Sequence, residues 1–173
     1  MTDRDTHFMR EALKEAKKAF DAEEVPVGAV LVHKDKILSR GYNQIELLRD
    51  ATAHAEMLCL TSGASVLENW RLTDTTLYCT LEPCCMCAGA MLSSRITRLV
   101  YAAPDLRVGV CGSWINLFEK EHPIHKIEVI GGILEAEAAA LMREFFQMMR
   151  KKKHEPDFST PRTADRRTKK EAP

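Results

Sequence analysis

The chain has 173 residues, 45% hydrophobic and 29% charged, and its 25 basic side chains match its 25 acidic ones in number. That length suits one domain with a real core and is short for two. No apolar run approaches the ~20 residues a helix needs to cross a bilayer, and an ordinary globular protein is expected.

The first predicted helix runs from residue 5 or 6 to residue 22, with Phe8, Leu13, Ala16 and Phe20 at near-helical spacing. Pro26 stops it. Segments 27–32 and 36–42 flank a short polar turn and read as a β-hairpin. A loop with Asn43 and Asp50 leads to a second helix that starts at His54 and ends near Gly63. Segment 76–79 is a buried strand, Pro83 opens a third helix that reaches Ser93, and 98–102 is another strand. A loop with Pro104, Asp105 and several glycines precedes the last strand, 126–130. A long helix then spans about 134–152, with Leu141, Phe145 and Met148 along one side. Strands alternating with helices predict an α/β sandwich whose sheet is partly parallel.

The end of the chain differs in composition. From Arg150 onward, nine basic residues face four acidic ones, a surplus of five that the rest of the chain cancels. A basic terminus attracts polyanions such as nucleic acid, although a short charged tail commonly serves solubility alone. The expected division is a folded domain over 1–153 and a disordered basic tail over 154–173. The opening Met1-Thr2-Asp3-Arg4-Asp5-Thr6 is polar, unlike a secretory signal, so the expected compartment is the cytoplasm.

Two short segments carry the chemistry. His54-Ala55-Glu56 and, about thirty residues on, Pro83-Cys84-Cys85-Met86-Cys87 read H-x-E and P-C-x-x-C, a pairing that points to zinc enzymes which hydrolyse the amino group off a nucleobase. Cys84 and Cys87 are three apart, so one helical turn aims both sulfurs the same way. A helix start at Pro83 sets them where free backbone N–H groups favour thiolate over thiol. His54 also stands at a predicted helix start. His54, Cys84 and Cys87 are therefore the predicted ligands of one Zn2+ per subunit, one ligand short of a closed structural site.

Two positions along a helix rotate a side chain by about 200°, so Glu56 does not ligate beside His54. It is predicted to move protons instead. Two thiolates temper the acidity of the metal, which makes a nearby base useful. The competing reading is a structural site closed by Cys85 or another cysteine, but structural sites usually show paired C-x-x-C motifs or clustered histidines, and Cys85 is adjacent to Cys84 and should point away. Cys59, Cys79 and Cys111 stand singly among apolar neighbours and read as small core residues. Three cysteines crowded into four positions suit a metal better than disulfides.

Val25-Pro26-Val27-Gly28-Ala29-Val30, Asn43, Thr52-Ala53-His54-Ala55-Glu56 and the run from Leu81-Glu82-Pro83 through Ala88-Gly89-Ala90 resemble the bacterial tRNA-specific adenosine deaminases, within the cytidine deaminase superfamily. The resemblance extends from the first helix to about Arg150. It implies a three-layer α-β-α sandwich around a mixed five-stranded sheet. It also implies conversion of adenosine to inosine at the wobble position of a tRNA anticodon, that of an arginine tRNA, by a homodimer with no membrane attachment. By motif match the zinc ligands are His54, Cys84 and Cys87, and Glu56 is the proton shuttle. Asn43 would hydrogen-bond the flipped nucleoside, the backbone of Ala55 would approach its exocyclic group, and Asp105 would contact sugar or backbone.

Read alone, Asn43 is a turn residue after a strand and Asp105 a loop former. Of the adjacent rings on the last helix, one faces the core and the other is free to stack on an anticodon base; Phe145 is assigned that contact. Arg150, with Lys151, Lys152 and Lys153, is placed for phosphates. The chain departs from the family at Ala51, where proline is usual, at Cys85, where an apolar residue is common, and at Pro104, where a polar or basic one is usual. These changes bear on loop shape and on Asp105, not on the metal.

The metal chemistry is shared with deaminases of free guanine, cytosine or a pterin-like ring, so the motif alone does not choose between them. The Leu81-Glu82-Pro83 run, the Met86-to-Ala90 run and the basic tail favour tRNA. A third reading is a zinc-stabilised RNA-binding module with lapsed catalysis, and the presence of Glu56 argues against it.

Overall fold

Alternation along the central strands sets the architecture. The structure, a computed structural model, describes residues 3–119, 123 and 125–154. Helix α1 (Asp3–Asp21) is followed by strands β1 (Gly28–His33) and β2 (Lys36–Tyr42), a one-turn helix α2 (Ile45–Leu48) and helix α3 (Ala55–Val66). Strand β3 (Thr75–Leu81), helix α4 (Cys85–Ser94), strands β4 (Arg98–Ala103) and β5 (Glu128–Ile130) and helix α5 (Glu135–His154) complete the chain's elements. The sheet order is β2-β1-β3-β4-β5. Strand β1 is antiparallel to β2 and β3, whereas β3, β4 and β5 are parallel.

Successive side chains on a strand point to opposite faces, and here both faces are covered. Ala29, Leu31, Leu77, Cys79 and Leu99 pack with Ala55, Cys59 and Leu60 of α3 and with Cys87 and Met91 of α4. Val30, Val32, Tyr78, Val100 and Ala102 pack on the other face with Phe8, Met9 and Ala12 of α1 and Ala138 of α5. The result is the expected three-layer sandwich with a mixed five-stranded sheet. Cys59 and Cys79 are buried core residues, while Cys111 is half-buried.

Helix α1 is tied to the sheet by polarity as well as packing. Arg98 of β4 donates twice to the Asp5 carboxylate, Nη1 to Oδ1 at 2.7 Å and Nη2 to Oδ2 at 2.9 Å. The Tyr78 hydroxyl donates to the same Oδ1 at 2.9 Å. The hairpin turns at Lys34 and Asp35, whose φ angles of 49° and 60° suit a tight two-residue connection that matches strand twist.

Some boundaries differ from the expected ones. Helix α4 begins at Cys85 with Cys84 as its N-cap, two residues after Pro83. Helix α2 lies in the segment expected to be loop, because a single turn has no periodicity to read. It is tied to a remote carboxylate, since the Leu47 N–H donates to Glu24 Oε1 at 2.8 Å. Among the described residues no helix is long and apolar enough to cross a membrane. The expected basic tail lies outside the described residues beyond His154.

Candidate active site

Helices α3 and α4 begin beside each other. His54 caps α3 in an extended conformation, φ −69° and ψ 150°, and Cys84 caps α4 likewise, φ −82° and ψ 174°. Both side chains therefore stand ahead of the first turn, and Cys87 returns to the same spot one turn later. Gly41 of β2 permits this approach, because a Cβ there would meet the Ala55 carbonyl oxygen at 2.4 Å.

His54 Nδ1 lies 3.7 Å from Cys84 Sγ and 3.5 Å from Cys87 Sγ. A tetrahedral zinc with usual Zn–S and Zn–N lengths sets its S···N edges at about 3.6 Å, so the three atoms fit that ion. They form the only such group of three among the described residues, and the Glu56 carboxylate does not join it. Cys85 is exposed and is not in the group. The site is therefore short of the four protein ligands of a closed structural zinc.

The protons are unevenly held. The Cys84 thiol is brought down to about 3 by its hydrogen bond with Cys87 and, less strongly, by His54. The same contact pushes Cys87 up, with burial adding to the shift. His54 is raised by the Cys84 thiolate beside it. Burial raises the Glu56 carboxyl above the ordinary glutamate range.

The cavity over these residues is lined by His54, Glu56, Cys84, Asn43 and Asp105, together with apolar walls from Val27 and Leu81. The structure thus brings five of the predicted site residues to one opening, and the buried Cys87 lies directly behind it. The Ala55 side chain is buried in the core, so any part it plays falls to its backbone. Two grooves adjoin the cavity. One runs past Val25, Asn43 and Ile45 to Phe146 and Met149, and the other past Asp105 and Arg107 to Arg143 and Phe146.

Phe145 is a correction. It is 3% exposed and packs edge-on against Phe20, with ring centroids 5.7 Å apart. Rotation of α5 against α1 buries this ring, which still borders the first groove, and leaves the half-exposed Phe146 to face both grooves. Arg150 is exposed near the end of α5, outside the cavity lining.

Sequence reasoning missed two buried carboxylates. Glu24 accepts from Asn43 Nδ2 at 3.2 Å and orients that amide. Glu82 accepts from the backbone N–H groups of Asp105 at 3.0 Å and Cys111 at 2.7 Å. The available signal was an acidic residue directly before Val25-Pro26 and another directly before Pro83, each beside an apolar strand. A buried charge in such a place requires partners.

Residues 2–103 match the cytidine and deoxycytidylate deaminase zinc-binding region. A protein of Bacillus subtilis named tRNA-specific adenosine deaminase is 46% identical over 149 residues, covering 86% of this chain and 92% of that one. The chain belongs to the tRNA-specific adenosine deaminase family. A family member from Haemophilus influenzae is 45% identical, over 86% of this chain and 87% of its own. A chloroplastic tRNA(adenine(34)) deaminase of Arabidopsis thaliana is 56% identical over 83% of this chain, which spans 12% of that plant protein. Among solved structures, one from work on A-to-I editing by tRNA:A34 deaminases is 41% identical, with a TM-score of 0.75 over 79% of this chain and 99% of that one. A guanine deaminase from Nitrosomonas europaea shares the fold at 25% identity and a TM-score of 0.68, over 81% of this chain and 83% of its own.

Proposed function

We propose that this protein hydrolyses adenosine to inosine at the wobble position, position 34, of a tRNA anticodon, as the names of its relatives describe for them. An arginine tRNA is the proposed substrate. The observation that carries the reading is the His54–Cys84–Cys87 triangle with buried Glu56 beneath a cavity that continues into two grooves. A free base fills a pocket and needs no grooves. A nucleotide flipped out of a strand brings neighbours that do.

His54, Cys84 and Cys87 would hold one zinc ion per subunit. When bound, that zinc supplies Lewis acidity that makes water a nucleophile near neutral pH. Glu56 takes a proton from the attacking water and gives it to the ring nitrogen beside C6. As the C6–O bond forms and the C6–N bond breaks, Glu56 carries a second proton to the amino group, which leaves as ammonia. A carboxyl raised by burial is suited to holding a proton during part of this cycle. Asn43, its Nδ2 held by Glu24, offers its amide oxygen to the base. Asp105 meets the sugar or backbone, and the backbone of Ala55 meets the exocyclic group.

Phe146 replaces Phe145 as the ring that stacks on a neighbouring base. Arg150 meets phosphate. An exposed Trp70 over an apolar groove lined by Met57, Leu60 and Ala90 supports self-association as a homodimer. Six free cysteines suit a reducing compartment, the cytoplasm.

The test incubates pure protein with anticodon stem-loops bearing wobble adenosine, alongside free adenine, guanine, cytosine and cytidine, and reads products by mass. Inosine in the stem-loop is expected, with the free bases untouched. Turnover of free guanine or cytosine with the stem-loop unchanged would assign the site to small molecules.

A further inference from the structure

Glu82 joins β3 to α4, two residues ahead of Cys84, and is 2% exposed. A carboxylate buried that deeply is costly without donors, and four of its hydrogen bonds come from one loop. Oε2 accepts from the Asp105 N–H at 3.0 Å and from the Ser113 hydroxyl in a short contact. Oε1 accepts from the N–H groups of Cys111 at 2.7 Å and Ser113 at 3.2 Å. Two oxygens offer about four acceptor positions, so the loop fills them. Nothing is left for a metal or a travelling proton.

The loop is shaped around this carboxylate. A Cβ on Gly109 would meet Glu82 Cδ at 2.4 Å, so the backbone crosses here only because residue 109 is glycine. Around the crossing, the Gly109 N–H donates to the Asp105 carbonyl at 2.9 Å and the Arg107 N–H to Asp105 Oδ1 at 3.0 Å. The Val110 N–H donates to the Pro83 carbonyl at 3.1 Å. The segment so held supplies Asp105, Arg107 and Val108 to the cavity wall.

We propose that Glu82 is a positioning residue: it fixes segment 105–113 in the shape that presents Asp105 and Arg107 to the substrate, and takes no part in metal binding or proton transfer. This rests on the tRNA reading above. Glu82→Gln keeps the size of the side chain and turns an amide nitrogen toward donors it cannot accept from. On a wobble-adenosine stem-loop, KM is expected to rise about tenfold while kcat moves less than about twofold. Zinc per chain should equal that of the unaltered protein.

Glu82 acting through the loop also predicts non-additivity. Glu82→Gln combined with Asp105→Ala should raise KM by clearly less than the product of the two single rises, the remainder coming from Arg107. Losses that multiply, a fall in kcat at unchanged KM, or missing zinc would overturn the proposal. Ser113→Ala removes one donor and leaves Glu82 in place. Its expected KM rise is about two- to threefold, and it carries the test if Glu82→Gln does not fold; an unmoved KM there also overturns the role. Failure of the unaltered protein on the stem-loop would overturn the tRNA reading and this proposal together. Normal turnover with an indifferent Glu82→Gln overturns only the positioning role.

Discussion

At the scale of single residues, the proton transfer proposed for Glu56 is separable from metal binding because Glu56 lies outside the ligand triangle. Glu56→Gln keeps the volume of a buried side chain and removes its capacity to cycle a proton. Zinc content is expected to be unchanged while turnover falls about 10²–10⁴-fold, the usual worth of general acid–base catalysis. Elemental analysis beside a rate measurement checks this, and full zinc with near-normal turnover would remove the role. This part of the site was legible in sequence because the motif is local. H-x-E and P-C-x-x-C each place their side chains at the cap and in the first turn of one helix, and only the meeting of the two helices is tertiary. Glu82 was not legible as a clamp, since its donors Asp105, Cys111 and Ser113 lie 23, 29 and 31 positions away. The choice between Phe145 and Phe146 depended on how α5 rolls onto Phe20 of α1, and adjacent residues carry no record of that.

At the scale of elements, apolar alternation and turn chemistry revealed most helices and strands, but not the polar ties between them. The hairpin could be read because Lys34-Asp35 interrupts two apolar runs. Helix α2 could not, because Glu24 holds it from a distant segment. The tie between α1 and the sheet is of the same kind. Asp5 sits in the first turn of α1, where an acidic residue is favoured by the helix dipole alone, so nothing local announces its pairing with Arg98 and Tyr78. The side chains of Asp5 and Arg98 are 4% and 17% exposed, so removing one strands the other away from water. Glu128, 3.5 Å from Arg98 but itself largely exposed, offsets part of that loss. Asp5→Ala is accordingly expected to destabilise the fold by about 2–3 kcal/mol, measured by urea or thermal unfolding. A loss below about 0.5 kcal/mol, typical of a neutral surface change, would mean that α1 is held by its apolar face alone.

At the scale of the whole molecule, the charge proposed to meet tRNA lies away from the chemistry. The formal charges cancel over the chain, yet Arg150, Lys151 and Lys153 stand exposed together near the end of α5, the helix whose Phe146 and Arg143 line the groove beside the cavity. Among the described residues Lys152 pairs with Glu23, which makes Arg150, Lys151 and Lys153 the better candidates for phosphate. A strand that enters the groove and continues along α5 would release counterions from each phosphate it meets. For single strands each contact contributes about 0.7 to the slope of log affinity against log salt. Arg150→Ala with Lys151→Ala should therefore flatten that slope by about 1–1.5 for a wobble-adenosine stem-loop, and leave kcat at saturating substrate unchanged, because neither residue lines the cavity. Titrations at several salt concentrations measure the slope directly. An unaltered slope would place the phosphate path elsewhere on the surface. A reduced kcat at an unaltered slope would mean that the end of α5 acts on the cavity through the fold instead of through the strand.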